Sequence, residues 1–82
     1  MKSVLFRGIE IEYNEKSLRN YGIQYAIAEG GAESFKAMDV VFGGQFGDKK
    51  SLEVAELIGG TMDDMAELIN AISEAEGDDT KN

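Results

Sequence analysis

Residues 34–44 read SFKAMDVVFGG, the densest run of large apolar side chains in the chain. Phe35, Met38 and Phe42 fall at i, i+3 and i+7, with Val41 beside Phe42, so at helical spacing one face is almost wholly apolar. A helix of about three turns does not hold such a face in water by itself, because a short helix gains too little from propagation to offset nucleation. The flanking segments must close over it, and Phe35 and Met38 are expected in the core.

Upstream, residues 9–13 (IEIEY) alternate strictly, placing Ile9, Ile11 and Tyr13 on one side and the glutamates in water. Residues 3–6 supply a partner strand, with Arg7-Gly8 as a two-residue turn; a type I′ turn there puts Arg7 at positive φ. An isolated hairpin is marginal in water, so its apolar face is expected to dock on a helix. Asn14 reads as the N-cap of a helix over about residues 15–29, with Glu15 and Ser17 in its first turn. Leu18, Tyr21, Tyr25 and Ala28 form one stripe of it, and Ile23 and Ile27 lie alongside. Gly22 costs that helix roughly 1 kcal/mol relative to Ala. The tyrosines Tyr13, Tyr21 and Tyr25 could form an aromatic ligand box; core packing with hydroxyls at the rim is the simpler reading.

Downstream, glycine pairs punctuate the chain. Gly30-Gly31, Gly43-Gly44 and Gly59-Gly60 end successive helices, since Gly takes the left-handed position after a helix without a Cβ penalty. The helices fall at about 33–42, 49–58 and 62–76. The loop 43–51 superficially resembles a phosphate-binding loop, but Asp48 stands where a Walker loop needs its second Gly. Phe46 in that loop either tucks into the core, which residue physics favours, or forms an exposed anchor for a partner. Asp48 is expected to cap the third helix, in which Leu52, Ala55 and Ile58 form a line flanked by Val54 and Leu57. Thr61 with Asp64 makes a near capping box for the last helix. There Met62, Met65, Ile69 and Ile72 make the apolar face with Leu68 beside them, and Asp63, Asp64 and Glu67 suit the positive N-terminus. Glu74, Glu76, Asp78 and Asp79 sit at the wrong end for the helix dipole. The C-terminus is therefore expected to fray, residues 77–82 to form a disordered acidic tail, and added salt to relieve repulsion along this helix. The fold class is α+β: one domain over residues 1–76, a hairpin followed by about four short helices.

The 82 residues suffice for one domain, which buries only about 60–65% of the surface its unfolded chain exposes. The chain has no Cys and no His, which removes disulfides, thiolate and imidazole metal sites, thiol nucleophiles and imidazole bases. Net charge is −8, and residues 61–82 carry seven acids against one base. Phosphate-backbone binding and anionic membranes are unfavourable for such a surface. The N-terminus is too short in apolar residues for a signal segment, and no run approaches the ~18 residues of a membrane span.

Two motifs carry possible chemistry. Lys50-Ser51-Leu52 resembles the Asp-Ser-Leu helix start of acyl carrier proteins, where the Ser holds phosphopantetheine. Here Lys50 replaces the Asp, Gly59-Gly60 ends the helix early, and a hairpin has no place in that four-helix fold. Asp63, Asp64 and Glu67 could hold a divalent metal, but they lack EF-hand spacing and are explained by the helix dipole. No catalytic residue, metal or cofactor is expected, a phosphopantetheine on Ser51 belonging to the carrier alternative alone. A third reading, an acidic inhibitory protein that mimics DNA, rests on the charge concentration.

Residues 4–13 (VLFRGIEIEY), 18–28 (LRNYGIQYAIA), 34–44 (SFKAMDVVFGG) and 57–65 (LIGGTMDDM), with the acidic helix that follows, resemble in order and pattern the small tail assembly chaperones of long-tailed bacteriophages. The resemblance implies a non-enzymatic binder that keeps the tape measure protein soluble while the tail is built, working in the host cytoplasm. It also implies self-association and possible contact with the tail tube protein. Phe46, Leu57, Met62, Met65 and Ile69 are the candidate partner-binding residues, Met being adaptable to irregular apolar partners. The acidity would keep a loaded complex soluble.

Overall fold

The computed structural model describes residues 1–80, with side chains described through residue 77. Strands β1 (Lys2–Phe6) and β2 (Ile9–Tyr13) form an antiparallel hairpin in the register Phe6↔Ile9 to Lys2↔Tyr13. A short 3₁₀ turn (Ser17–Arg19) follows. Then come α1 (Tyr21–Glu29), α2 (Gly31–Val41), α3 (Lys50–Ile58) and α4 (Met62–Thr80). This is the α+β, mostly helical architecture expected.

The hairpin turn is of the anticipated kind, with Arg7 at φ 52° and Gly8 at φ 79°. Its apolar side delivers Ile11 and Tyr13 into the core, where they meet Val41 and Phe42 from the end of α2, Val54 and Ile58 from α3, and Leu68 and Ile72 from α4. Ile23 and Ile27 of α1, with Leu18, pack on the margin of this cluster.

Several helices are rotated or bounded differently from expectation, and each has a local cause. The helix expected from residue 15 is interrupted. The Asn14 side chain accepts Lys16 N–H at 3.1 Å and its carbonyl accepts Ser17 N–H at 3.1 Å, which makes a turn of the segment. Asn20, not Asn14, caps α1, accepting Ile23 N–H at 3.0 Å. Tyr21 and Tyr25 then face water rather than the core, and only Tyr13 is buried.

In α2 the buried side is set by Ala37 and Val41, one turn apart. Phe35 lies about 200° around the helix from Ala37, so it is exposed, contrary to expectation, and Met38 is half-buried. Phe42 does reach the core, from the C-cap position just beyond the helix.

In α3 the inward residues are Ser51, Val54 and Ile58, while Leu52 and Leu57 point outward. A polar contact fixes this phase: the Ser51 hydroxyl donates to Asp39 at 2.6 Å and its N–H at 2.9 Å. The cap of α3 therefore comes largely from Asp39, which also accepts Lys49 N–H at 3.0 Å. Asp48 contributes by accepting Lys50 N–H at 2.9 Å and Gln45 N–H at 2.6 Å, but the N-cap position is Lys49, in the left-handed region at φ 70°.

The capping box of α4 forms as expected, Asp64 N–H donating to Thr61 Oγ1 at 3.0 Å and Thr61 Oγ1–H to Asp64 at 2.8 Å. The inward line is Leu68, Ile72 and Glu76, and Met62 is exposed. Helix α4 continues to Thr80, past the expected end at Glu76; the last two residues of the expected acidic tail lie outside the described residues. Nor are its acids a uniformly repelling run. Asp64 and Glu67 face Arg7, and Glu76 faces Lys2 and Arg19, so added salt screens attraction as well as repulsion.

Candidate functional site: an apolar groove between α2, α3 and the start of α4

The rotations of α2 and α3 have a joint consequence. Phe35 of α2, Leu52 of α3 and Met62 of α4 are 57%, 54% and 70% exposed, and all three line one groove of about 780 Å³. Half-buried Met38, Ala55 and Met65 line it too, leaving a mostly aliphatic, thioether-rich surface. A concave apolar surface of this kind is a common docking place for a partner or ligand.

Each wall has a sequence-level cause. The groove face of α2 is what remains once Ala37 and Val41 are buried. That of α3 is what remains once Ser51 turns inward to Asp39. Asp39 is only 3% exposed and sits at the root of the groove. Burial pushes its carboxyl upward in pKa, but hydrogen bonds from the Ser51 hydroxyl and from backbone N–H groups of Ser51, Lys49 and Gly47 outweigh this and hold it below its ordinary value. Its bonds join α2 to the loop and to the first turn of α3, fixing the spacing of the two walls.

The far wall is fixed by a second cluster. Gly59, at φ 132°, leaves α3 in a conformation that suits glycine, and the Asp64 carboxylate occupies the space a Cβ there would need. Arg7, reaching over from the hairpin turn, donates to the Ile58 carbonyl at 2.8 Å and to Asp64 at 2.6 Å, pairs with Glu67 at 3.1 Å, and lies 4.8 Å above the Phe6 ring. The hydrogen bond from Arg7, followed by that from Thr61, holds the Asp64 carboxyl below its ordinary pKa. This clamp sets the angle between α3 and α4 and hence where Met62 and Met65 stand.

Charge along the groove is uneven. In a chain of net charge −8, the charged side chains lining it are Lys36, Lys49 and the fully hydrogen-bonded Asp39. The Lys36 stem passes over Gly47, so both lysines belong to the end closed by the α2–α3 loop. Gly30, Gly31, Gly60 and Thr61 form the other end.

Of the residues expected to bind a partner, Met62 and Met65 are brought together here. Phe46 is exposed on the α2–α3 loop rather than tucked into the core, Leu57 is exposed on α3, and Ile69 packs against the core; none of these three lines the groove. Phe35 and Leu52 are the large lining residues that sequence reasoning missed. The signal was present as i, i+3 pairs on successive helices (Phe35/Met38, Leu52/Ala55, Met62/Met65), but the phase of α3 depended on the Asp39–Ser51 bond and that of α2 on the burial of Ala37 and Val41. Ser51 is buried with its hydroxyl committed to Asp39, a placement unsuited to carrying a prosthetic arm.

Among the described residues no cluster of acidic side chains is arranged to hold a metal ion, and no helix is long and apolar enough to cross a membrane. No protein-family model matches the chain, and comparison with curated proteins and with solved structures returns no match. What the groove offers chemically is apolar contact, bounded at one end by two ammonium groups.

Proposed function

We propose that the protein is a non-enzymatic chaperone of the phage tail assembly kind, which uses the α2/α3/α4 groove to cover apolar helical stretches of a tape measure protein. The observation that carries the reading is the convergence of exposed Phe35, Leu52 and Met62 on one groove. An amphipathic helix laid into an apolar groove is a recurring recognition mode, and methionine side chains let one groove accept differing sequences. The order of hairpin and helices supplies the resemblance that names the client. The net charge of −8 gives a reason for a loaded complex to remain dispersed in the host cytoplasm. A tail tube protein is a further partner that the resemblance suggests.

Co-expression tests the reading. A tape measure fragment that is insoluble alone should become soluble and co-purify with the wild-type chain, and should remain insoluble with the Leu52→Asp variant. A fragment that stays insoluble beside the wild-type chain overturns the proposal.

A further inference from the structure

Helix α1 is unusual in having no buried residue. Its Ile23 and Ile27 rest on the margin of the core, while Tyr21 and Tyr25, 82% and 60% exposed, stand together on the outside with ring centroids 6.1 Å apart. Glu29 follows at the next turn, exposed, so that Tyr21, Tyr25 and Glu29 form one i, i+4, i+8 line with Ala28 beside it. This is an amphipathic ridge: two large rings ending in a carboxylate.

The groove has the complementary layout. From Gly31 to Asp39, its α2 wall runs over nine residues, eight rises of 1.5 Å or about 12 Å, and Tyr21 to Glu29 spans the same length. The groove is apolar along its walls and basic at its loop end, where Lys36 and Lys49 lie. Among the described residues neither lysine has an ion-pair partner.

We infer that the groove of one protomer receives the Tyr21–Tyr25–Glu29 ridge of a second copy of this chain, with Glu29 at the Lys36/Lys49 end. This rests on the groove being a helix-docking surface, as proposed above, and adds who occupies it when no client is present. The incoming α1 would lie parallel to α2, bringing its C-terminal carbonyls as well as Glu29 toward the two ammonium groups, a favourable arrangement for a helix dipole. Helix α4 of a second copy cannot play this part, because its apolar line of Leu68 and Ile72 is already buried in its own core.

The contact joins two different surfaces. It is therefore heterologous: each bound pair still presents one free groove, on one protomer, and one free ridge, on the other, and chains or rings follow rather than a closed pair. Client and second copy would compete for the same groove, so free protein is self-covered and opens only to a client that binds more tightly.

Sedimentation in about 0.15 M salt, where the Debye length of ≈ 8 Å limits general repulsion between protomers, tests this. The wild-type chain should assemble past the dimer as its concentration rises. Leu52→Asp, which spoils the groove, and the double variant Tyr21→Ser/Tyr25→Ser, which spoils the ridge, should each be monomeric. Mixed together, these two should form a one-to-one heterodimer and stop there, since one intact groove meets one intact ridge. Glu29→Lys should weaken assembly by about twofold to fivefold, the scale of exposed ion pairs, and assembly should recover when it is mixed with Lys36→Glu/Lys49→Glu. Circular dichroism establishes that these surface variants keep the fold.

A wild-type monomer at every concentration, association that halts at a symmetric dimer, or failure of the mixed variants to pair overturns the inference. Solubility rescue of the tape measure fragment is read separately on the wild-type chain. The chaperone reading can thus survive the loss of this one, and an assembling protein that rescues no client would show the reverse.

Discussion

The two halves of this molecule treat surface in opposite ways. Where the hairpin meets α4, polar side chains bind elements far apart in sequence. The Tyr13 hydroxyl donates to Glu76 at 2.7 Å, Lys2 and Arg19 approach the same carboxylate at 3.2 and 3.5 Å, and Arg7 ties the hairpin turn to both sides of the α3–α4 junction. Along α1, α2 and the outer side of α3, large apolar side chains are left in water instead. Directional bonds specify one arrangement of the hairpin and α4, and the helices beside them leave an apolar face uncovered. A domain of this size has a total stability of about 4–12 kcal/mol, so leaving Phe35, Leu52 and Met62 uncovered is a substantial concession. It makes physical sense if something else covers them.

That contrast predicts unequal responses to truncation. Leu68 is fully buried at the meeting of α4 with the hairpin and α3, and Leu68→Ala removes its contacts and leaves a cavity. The expected loss is about 2–5 kcal/mol, enough to unfold much of the population at room temperature. Urea denaturation followed by circular dichroism measures it. A midpoint close to that of the wild type would mean that the core lies elsewhere.

Asp39 comes next, because it belongs to both halves: a buried polar group that shapes the apolar face. Asp39→Ala strands the Ser51 hydroxyl and the N–H groups of Ser51 and Lys49, at an expected cost of about 2–4 kcal/mol. The pH dependence follows from the direction of its shift. The folded carboxyl is held below its ordinary 3.8. Its stabilisation is therefore complete above that value and is lost as pH falls through the lower folded one. The gap in urea midpoint between wild type and variant should be wide at neutral pH and should narrow below pH of about 3.8. A gap that stays constant through the acid range would remove Asp39 as the group responsible.

The same residue explains what was and was not legible in the sequence. The hairpin was readable because its signals are local: strict alternation in residues 9–13 and a two-residue turn. The helices were countable because glycine pairs separate them. The capping box of Thr61 and Asp64 was readable because its partners lie three residues apart. Helix phase was not readable. Phe35, Met38 and Phe42 make a better apolar stripe on paper than Ala37 and Val41, and Leu52 and Leu57 are larger than Ser51 and Val54. The inward face of α3 was decided by an Asp39–Ser51 bond across twelve residues, and that of α1 by an Asn20 cap six residues later than the one expected. Glu76, expected in a frayed end, is instead buried against a tyrosine from the hairpin, a pairing 63 residues apart that no local pattern announces. Because the groove is made of what those phases leave outside, Met62 and Met65 could be anticipated but Phe35 and Leu52 could not.

The Tyr13–Glu76 contact offers a finer test of the polar half. Burial first, and then the hydrogen bond to Glu76, push the Tyr13 phenol up to about 12. Tyr13→Phe keeps the ring and removes the bond, for an expected loss of about 1.5–3 kcal/mol, typical of a hydrogen bond to a charged group. A pKa raised in the folded state means that the proton is held more tightly there. The stabilisation is thus intact below the ordinary value of 10.0 and disappears as pH rises toward about 12. Wild type and Tyr13→Phe should converge in stability over that alkaline interval. Convergence at neutral pH would mean that the hydroxyl does not hold α4 to the hairpin.

The smallest effect on folding should accompany the largest effect on function, and it falls on the apolar half. Leu52 is 54% exposed, so Leu52→Ser deletes contacts that are mostly with water and should shift stability by no more than about 0.5 kcal/mol. Its side chain nevertheless stands in the groove opposite Phe35 and Met62, where a docked helix would bury it. In that setting removal of a leucine forfeits up to about 1.5–3 kcal/mol of apolar transfer, a ten- to hundredfold loss of affinity. The decisive comparison is therefore between two measurements on one variant: an unchanged urea midpoint together with lost retention of a tape measure fragment. If Leu52→Ser instead unfolds the chain, Leu52 is a core residue and α3 presents a different face to the groove. If it leaves both stability and retention untouched, the exposed apolar residues are passive surface, and the contrast between the two halves loses its functional meaning.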